Sequence, residues 1–458
     1  MSAVDPTLLL KLNKPAPRYT SYPTAPEWGA LDAETYAAKL RALSLAPTPL
    51  SLYFHIPFCK TMCLYCGCSV VLNRKPENEE LYVDYLCKEI DLVTSHLGIG
   101  QKAPQVHFGG GTPTKLSIPQ FARLYNKIQS AFAIDYTGEV AIEIDPRTVV
   151  EDEGEKLCFL RSLGFNRVSF GVQDTDPNVQ EAVKRRQSLE MTLRTYAHAR
   201  SLGFEGINID LIYGLPYQTV ETFRTTVEHI LDMRPDRISL FSYAKVPWLK
   251  PHQKAIPEHT LPSVEEKFQI YANARSRFVQ EGYAAIGMDH FALEEDAIAK
   301  AYHSKKLQRN FQGYSLSLAQ DMLSFGTSSI GYAQGAYVQN LKELPAYYAA
   351  LDAGLLPIHR GKILTEEDHL RKWVIHTLMC DFELDKQVFK RLFNTEFDSH
   401  FKDAQEQIAL LEEDGLIVNS GEKIVVTELG ELFARVVAMT FDAYANKQAE
   451  NPKFSLSV

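Results

Sequence analysis

Four of the seven cysteines lie within ten residues, at Cys59, Cys63, Cys66 and Cys68. Thiolates are strong, soft ligands for zinc and for iron–sulfur clusters, and the spacing C-x3-C-x2-C-x-C can turn several of them toward one centre. A closed zinc site would use all four thiolates. A cubane cluster held by three of them would instead leave one iron open to bind a small molecule and pass it an electron. Four cysteines buried together in an apolar core are the least favoured interpretation.

Other candidate residues follow the strands that the sequence predicts. Gly109-Gly110-Gly111 follows the second strand, where a backbone without Cβ atoms lets a ligand approach closely, although a tight turn would also explain the triplet. Gln173, Arg185 and Asp210 come at or after successive strand ends, so they could converge. Arg185 would suit a carboxylate and Asp210 an ammonium or a hydroxyl. From the residues alone, a solvated helix face is the commoner interpretation of Arg185 and its basic neighbours.

The strands that must position these residues are short apolar runs rich in β-branched and aromatic side chains. They are predicted at residues 51–57, 105–108, 141–145, 167–172, 207–213, 237–243 and 283–288. Amphipathic stretches at 80–97, 118–132, 189–202 and 220–231 predict crossover helices between them. Six or seven such units favour an α/β fold with a partial (β/α)6-type barrel, and a flat doubly wound sheet is the alternative. Both architectures place the functional face at the carboxyl ends of the strands.

The pattern changes at both ends of this core, which we place at residues 51–356. Residues 1–50 form an N-terminal lead-in, and residues 357–458 a mostly helical, winged-helix-like domain. In that domain Thr365 with Asp368 predicts a helix N-cap, 397–413 a helix, and 416–418 with 424–426 a small hairpin. Residues 397–435 carry nine acidic and three basic residues, which argues against a DNA-binding face.

Composition restricts the class of protein further. The 458 residues include 48 Lys and Arg against 57 Asp and Glu, a net charge of −9, which argues against general nucleic-acid binding. No run approaches the roughly 18 apolar residues of a membrane span, and residues 1–14 lack the features of a signal peptide. We therefore expect a cytoplasmic protein, in which clustered thiols bind metal rather than pair. Cys87, Cys158 and Cys380 fall on predicted helices and are expected to be buried packing residues.

The cysteine loop after a first strand, with Tyr65 before its third cysteine, resembles that of the radical S-adenosylmethionine (SAM) enzymes. A wider set of segments resembles one family among them, the oxygen-independent coproporphyrinogen III dehydrogenases. These segments are PRYTSYPTA at 17–25, residues 53–68, GGGTPT at 109–114, EIDPR at 143–147, GVQD at 171–174, NIDLIYGLP at 208–216, GMDHF at 287–291 and RNFQGY at 309–314. The cysteine loop alone indicates only the superfamily, whereas the ordered set is much more specific.

The resemblance implies roles for individual residues. It implies a [4Fe-4S] cluster on Cys59, Cys63 and Cys66, with Cys68 as a nearby functional residue. It implies two SAM molecules, the first held by Tyr53, Gly110, Glu143 and Ile330 beside Tyr65, the second near Gly111, Thr112, Gln173, Arg185, Asp210 and Ala244. Tyr53, His55 and Cys68 are our candidate catalytic residues, although a lone histidine such as His55 is more often a hydrogen-bonded core residue.

The implied reaction is the oxygen-independent decarboxylation of two propionates of coproporphyrinogen III to vinyl groups. A 5′-deoxyadenosyl radical removes a hydrogen from the β-carbon, and carbon dioxide and one electron then leave. The implied partner is an electron-donor protein, and we expect the chain to be a monomer. Residues 17–25 form a candidate lid, with Arg18 as a propionate clamp. Two rival functions are a related haem chaperone, expected to lack residues 17–25 and Cys68, and a zinc-stabilised binding protein.

Overall fold

A computed structural model describes residues 4–445 and 454–457. Residues 1–3 of the predicted lead-in, and residues 446–453 and 458 of the predicted C-terminal domain, lie outside the described residues. The helices are α1 (Pro6–Leu12), α2 (Ala33–Leu45), α3 (Pro76–Leu97), α4 (Ile118–Ala131), α5 (Pro146–Val150), α6 (Glu155–Ser162), α7 (Pro177–Ala182), α8 (Leu189–Ser201), α9 (Val220–Met233), α10 (Val264–Gln280), α11 (Ala297–His303), α12 (Leu344–Asp352), α13 (Glu366–Cys380), α14 (Lys386–Phe393), α15 (Phe397–His400), α16 (Gln405–Glu413), α17 (Glu428–Leu432) and α18 (Ala434–Met439).

The strands are β1 (Leu50–Ile56), β2 (Phe58–Cys59), β3 (Val71–Leu72), β4 (Gln101–Gly110), β5 (Phe132–Ile144), β6 (Arg167–Gln173), β7 (Gly206–Tyr213), β8 (Arg237–Ser242), β9 (Tyr283–Ala285), β10 (His290–Leu293), β11 (Leu307–Asn310), β12 (Gly313–Leu316), β13 (Asp321–Phe325), β14 (Ile330–Ala333), β15 (Ala336–Asn340), β16 (Ile358–Ile363), β17 (Glu383–Asp385), β18 (Ile417–Asn419) and β19 (Lys423–Val426).

Twelve strands form one sheet in the order β16-β15-β14-β13-β1-β4-β5-β6-β7-β8-β10-β9. Neighbours from β13 through β8 are parallel, and the flanking strands are antiparallel. The sequential order from β1 to β8 excludes a doubly wound sheet, in which the order would reverse. Side chains from β4 to β8 line one cavity of about 190 Å³, so the sheet curves around its interior. The predicted α/β class is confirmed.

Alternation along β1 separates the core from the site. Phe54 is fully buried and stacks on Phe108 of β4 and Phe325 of β13, each with ring centroids 4.9 Å apart. These three rings lie opposite one another in the strand registers and hold β13, β1 and β4 together. Tyr53 and His55, between the buried residues of the same strand, therefore face the other side of the sheet.

Local capping explains where several helices begin. The side chains of Ser117, Thr219 and Thr365 each accept a hydrogen bond from the amide of the third residue of the helix that follows, and their own amides each donate one to the side chain of that residue. This capping box at α4, α9 and α13 satisfies backbone donors that a helix start leaves free. The N-cap predicted at Thr365 is confirmed, as are the four predicted crossover helices, observed as α3, α4, α8 and α9.

Two predictions about the elements are wrong, and one strand was not predicted. The run at 283–288 contains only the short strand β9, which pairs antiparallel with β10 because four residues between them are too few for a crossover helix. The parallel strand β13 was missed. The helix predicted at 397–413 is divided into α15, a 3-10 turn (Lys402–Ala404) and α16, because Phe401 leaves helical dihedrals where its ring packs against Phe397, 4.8 Å away.

The described N-terminal and C-terminal segments contact each other. Pro15 forms a bridge with Leu456, and Tyr19 donates to Asp442 over 3.0 Å. The hairpin predicted in the C-terminal part is confirmed as β18 and β19, with β17 added at its edge. Among the described residues, no helix has the length and apolar character needed to cross a membrane. Cys158 was expected to be buried, but it is exposed on α6, whereas Cys380 is buried as expected.

Candidate functional site

The cysteine loop leaves the carboxyl end of β1. Its first cysteine belongs to β2, which pairs with β3 and so closes the loop on itself. Cys63 is buried, Cys59 and Cys66 are half-buried, and Cys68 is exposed. The four predicted thiols therefore lie on one short loop but differ in access to solvent.

Two guanidinium groups lie beside the cysteine loop, whereas burial raises the pKa of the Cys59 thiol to about 11. The guanidinium groups of Arg185 and Arg147 lie 3.7 and 3.9 Å from the Cys63 sulfur. A hydrogen bond with Cys68 lowers the pKa of the Cys66 thiol to about 6, and positive charge favours the ionised form of a cysteine. In residues 4–445 and 454–457 no three His, Cys, Asp or Glu side chains are already grouped as a metal site. The donor set itself, three soft thiols beside two cations, fits an anionic iron–sulfur cluster.

Side chains of the segment after β8 hold the cysteine loop in place by donating hydrogen bonds to the backbone carbonyls of the loop. Lys250 donates to Cys68 over 2.7 Å and His252 to Cys66 over 2.8 Å. Gln253 donates both to Tyr65 and to Ala244, over 3.0 and 3.1 Å. The structure thus brings Ala244 close to Tyr65, and it adds three residues that the sequence did not single out.

Tyr53 and His55 form a hydrogen-bonded pair on the interior face of β1. The Tyr53 hydroxyl lies 3.1 Å from His55 Nδ1, and His55 Nε2 lies 3.0 Å from the Ser69 carbonyl oxygen. Burial lowers the pKa of His55 and favours a neutral ring. Since only a protonated Nε2 can donate to the carbonyl, Nδ1 is left to accept from Tyr53. His55 is thus a hydrogen-bonded core histidine, the commoner role of a lone histidine, and it lies next to the site.

Glu143, on β5, is fixed from two sides. The Gly110 amide donates to its Oε2 over 3.1 Å, and His107 Nε2 lies 3.3 Å from its Oε1. Burial acts to raise the pKa of this carboxyl, but the bonds from His107 and Gly110 hold it below its usual value. Glu143 is therefore a preorganised carboxylate, suited to bind hydroxyl or cationic groups of a ligand.

His107 was missed by the sequence analysis. It lies opposite Tyr53 in the β1–β4 register and stacks on that ring, with centroids 5.9 Å apart. The sequence does contain a signal that His107 faces the site, because it alternates with buried Phe108 directly before the glycine triplet. His107 contacts both Tyr53 and Glu143, so we assign it the role of a positioning residue.

Replacing His107 with Phe keeps the ring that stacks on Tyr53 and removes the hydrogen bond to Glu143. We expect the KM for SAM, the ligand that the resemblance implies, to rise about 2- to 10-fold, the value of one ordinary hydrogen bond, while the iron content stays unchanged. His107→Gln retains a donor and should recover most of the loss. His303→Phe, at an exposed histidine, is the control. An unchanged KM in His107→Phe would remove the residue from the site.

Close packing explains two glycines of the triplet. Gly110 has φ of +112°, and a Cβ there would lie 2.5 Å from the His55 ring. A Cβ on Gly111 would lie 2.6 Å from the Pro57 carbonyl oxygen. Thr112, the next residue, is buried with its hydroxyl 3.5 Å from the Cys59 sulfur. The triplet is thus more than a turn, since it brings the backbone against both His55 and the cysteine loop.

Arg185 is not on a solvated helix face, although Lys184 and Arg186 beside it are exposed. Only 6% of Arg185 is exposed, and its guanidinium donates to the Gly171 carbonyl over 2.5 Å. It lies 3.5 Å from Asp145, and its Nε has no partner among the described residues. Gln173 adjoins it in a left-handed conformation, φ +72°, which is uncommon for a residue other than glycine. Arg185 therefore links Cys63 to the ends of β5 and β6.

Asp210 lies inside the curved sheet on β7. It accepts hydrogen bonds from Ser169 and Asn208 over 3.0 and 2.7 Å. Burial, followed by the charge of Glu143, raises its pKa to about 6. Asp210 and Glu143 line the same cavity of about 190 Å³. Ile330 begins β14, two strands from β1, and packs with the apolar cluster of Trp28, Tyr337 and Leu364.

Three of the singled-out segments, at 17–25, 287–291 and 309–314, meet at Asp289. This carboxylate pairs with Arg18 over 2.5 Å and with His290 over 2.7 Å, and Arg309 lies 4.0 Å away. Arg309 Nε also donates to the Arg18 carbonyl over 3.0 Å. The N-terminal segment is thus fixed to the carboxyl ends of the strands, a contact that strand periodicity cannot predict.

Comparison with known proteins gives matches over most of the chain. Residues 53–230 match the model of the radical SAM superfamily, and residues 364–433 match that of the HemN C-terminal domain. The oxygen-independent coproporphyrinogen III oxidase of Synechocystis sp. is 41% identical over 98% of this chain and 97% of its own length. That of Escherichia coli is 40% identical over 98% of both chains. A solved structure titled as coproporphyrinogen III oxidase (HemN) from Escherichia coli, a radical SAM enzyme, covers 97% of this chain and all of its own, with a TM-score of 0.90 and 38% identity.

Proposed function

This chain belongs to the family of oxygen-independent coproporphyrinogen III oxidases, and from that membership we propose how its residues carry out the family's reaction. The enzyme converts two propionate side chains of coproporphyrinogen III to vinyl groups with loss of carbon dioxide, which gives protoporphyrinogen IX in haem biosynthesis. Residues 17–25 and Cys68, which the haem-chaperone alternative would lack, are both present.

The observation that carries this proposal is the position of the cysteine loop beside Tyr53, Gly110 and Glu143, at the carboxyl ends of three adjacent parallel strands. When bound, the [4Fe-4S] cluster and SAM would supply the one-electron radical chemistry that hydrogen abstraction from a propionate requires. Cys59, Cys63 and Cys66 hold the cluster through their sulfurs, and Tyr65 packs beside them. Tyr53, Gly110 and Glu143, with Ile330, hold SAM, and the curved sheet keeps water away from the reacting propionate.

The protein residues then bind and orient. Glu143 is ionised and fixed by Gly110 and His107, so it accepts hydrogen bonds from SAM without first reorganising. His55 keeps the Tyr53 hydroxyl in one direction. Cys68 is exposed and hydrogen-bonded to Cys66. It acts near the cluster and is not a ligand of it.

A second SAM binds near Gly111, Thr112, Gln173, Arg185, Asp210 and Ala244. We expect Arg185→Ala to lower the number of SAM molecules bound per chain from two toward one. The iron content should stay intact, because Arg147, which Asp145 holds at 2.6 Å, still supplies a positive charge beside the cysteine loop. Equilibrium dialysis with labelled SAM measures the stoichiometry, and Arg185→Lys, which retains the charge, is the matched variant. Unchanged stoichiometry in Arg185→Ala would remove Arg185 from this site.

The remaining proposals concern the parts around the core. Residues 1–50 act as a lid and substrate segment, residues 51–356 as the radical SAM core and residues 357–458 as a C-terminal domain. An electron-donor protein supplies the reducing electron to a monomeric enzyme. The packing of Tyr19, Tyr22 and Arg18 supports a lid that is closed in this structure.

Anaerobic reconstitution tests the nature of the metal. The chain is expected to take up iron and sulfide and to turn brown, with SAM cleaved on reduction by dithionite. Stoichiometric zinc without iron uptake would contradict the cluster and favour the zinc-stabilised binding protein.

A further inference from the structure

A second, smaller cavity lies at the carboxyl ends of β7 and β8, where the two ends of the chain pack against the core. Its volume is about 30 Å³, and its polar lining includes Arg18, Tyr213, Ser242, Asp289 and Arg435. A water molecule needs roughly 10–15 Å³ of such space, so there is room for one small polar group such as a carboxylate.

Arg435, on α18, is buried there, and no carboxylate of residues 4–445 or 454–457 forms an ion pair with it. Only 5% of the residue is exposed. Within the described chain its acceptors are all backbone carbonyls, those of Ala16, Ser455 and Leu456, and its Nε has no partner. Carbonyl oxygens satisfy donors but do not neutralise a positive charge. Burial and the charge of Arg18 lower the pKa of Arg435 to about 9.

The neighbouring charges do not restore the balance. Asp289 is the carboxylate that lines the cavity, and it is shared by Arg18 at 2.5 Å and Arg309 at 4.0 Å. One negative charge therefore serves two guanidinium groups, and Arg435 makes a third. A buried cation without a partner is unfavourable unless an anion joins it, so the arrangement is that of an anion site.

We propose that this cavity, the Arg435 pocket, binds one propionate carboxylate of the tetrapyrrole substrate. The proposal rests on the proposed function, since coproporphyrinogen III has four propionates and two of them are not converted. The pocket and the larger cavity lie on opposite faces of β8, because Leu240 and Ser242 line the pocket whereas Ser239 and Phe241 line the larger cavity. Arg18 spans the two at the carboxyl end of the strand, since it lines the pocket and its guanidinium lies 5.6 Å from the Phe241 ring centroid. A propionate that passes over the end of β8 beside Arg18 would place its carboxylate on Arg435, and the pyrroles would lie on the side of the larger cavity.

Binding of coproporphyrin III, the fluorescent oxidised tetracarboxylate, to the reconstituted full-length enzyme tests the pocket. We expect Arg435→Met to raise its Kd at least about tenfold, as for a lost charge-assisted hydrogen bond, and to leave the Kd of the tetramethyl ester unchanged. Arg275→Met is the matched control, because Arg275 is also mostly buried but is paired with Glu431 at 2.7 Å. An unchanged Kd for the acid, or equal weakening for acid and ester, would overturn the proposal.

A second variant covers the case in which Arg435→Met does not fold. Ser242→Asp places a carboxylate in the pocket itself and should weaken binding of coproporphyrin III but not of its ester, and an unchanged Kd there would also overturn the proposal. The outcomes separate the two proposals. Wild-type turnover with normal binding by both variants rejects the pocket alone. Charge-dependent binding without any wild-type turnover supports the pocket and rejects the proposed reaction.

Discussion

Replacing Cys59, Cys63 or Cys66 with serine is expected to abolish the cluster and all turnover in each of the three single variants. A serine hydroxyl is a far poorer ligand for iron than a thiolate, and three protein ligands leave no spare one to compensate. Iron and sulfide analysis after anaerobic reconstitution, with the electron paramagnetic resonance spectrum of the reduced protein, measures the loss. Circular dichroism should remain that of the wild type, because β1 and its aromatic layer do not depend on the thiols.

Cys68→Ser is the informative companion to these three variants. We expect it to retain most of the iron and to lose activity, since Cys68 is exposed at the end of the loop and contacts Cys66. Cys158→Ser, at an exposed cysteine on α6, is the control for loss of a thiol elsewhere and should behave like the wild type. Equal iron loss in all four loop variants would contradict the assignment of three ligands and favour a four-thiolate site.

Glu143→Gln is expected to keep the cluster and to weaken SAM binding about 10- to 100-fold, the range for hydrogen bonds to a charged group. The amide can still accept from Gly110, so the change removes the charge and leaves the shape. The Kd for SAM and the rate of SAM cleavage under dithionite are the measurements.

The matched control for this variant is Glu221→Gln, an exposed carboxylate on α9 that pairs with neighbouring Arg224. It should leave both quantities unchanged. SAM cleavage at the wild-type rate in Glu143→Gln would show that the carboxylate on β5 does not contact SAM, and would exclude Glu143 from the first SAM site.

The sequence predicts the parallel part of the fold well because each strand there is a buried apolar run followed by an amphipathic helix. The strands at the edges of the sheet depend on tertiary pairing, so the sequence predicts them less well. β13 has no following crossover helix to identify it as parallel, and it pairs with β1 far earlier in the chain. The division of the helix at Phe401 likewise depends on aromatic packing with Phe397, which helical periodicity does not report.

In the site, too, local motifs can be predicted from the sequence and contacts between distant residues cannot. The cysteine loop and the glycine triplet are local motifs, so the sequence singles them out, although their spacing alone left a zinc site and a tight turn open. The burial of Arg185 beside Cys63 and the pairing of Arg18 with Asp289 join residues 122 and 271 positions apart. Contacts at such separations follow from the arrangement of the strands, and only the structure gives them.

The central claim is tested most directly by an anaerobic assay of the reconstituted chain with coproporphyrinogen III, SAM and a reductant, in which vinyl product and 5′-deoxyadenosine are followed together. We predict protoporphyrinogen IX as the product, with one 5′-deoxyadenosine formed for each propionate converted and no product when SAM is left out. Cleavage of SAM by a fully loaded cluster without any vinyl product, or product formation that does not require SAM, would contradict the account.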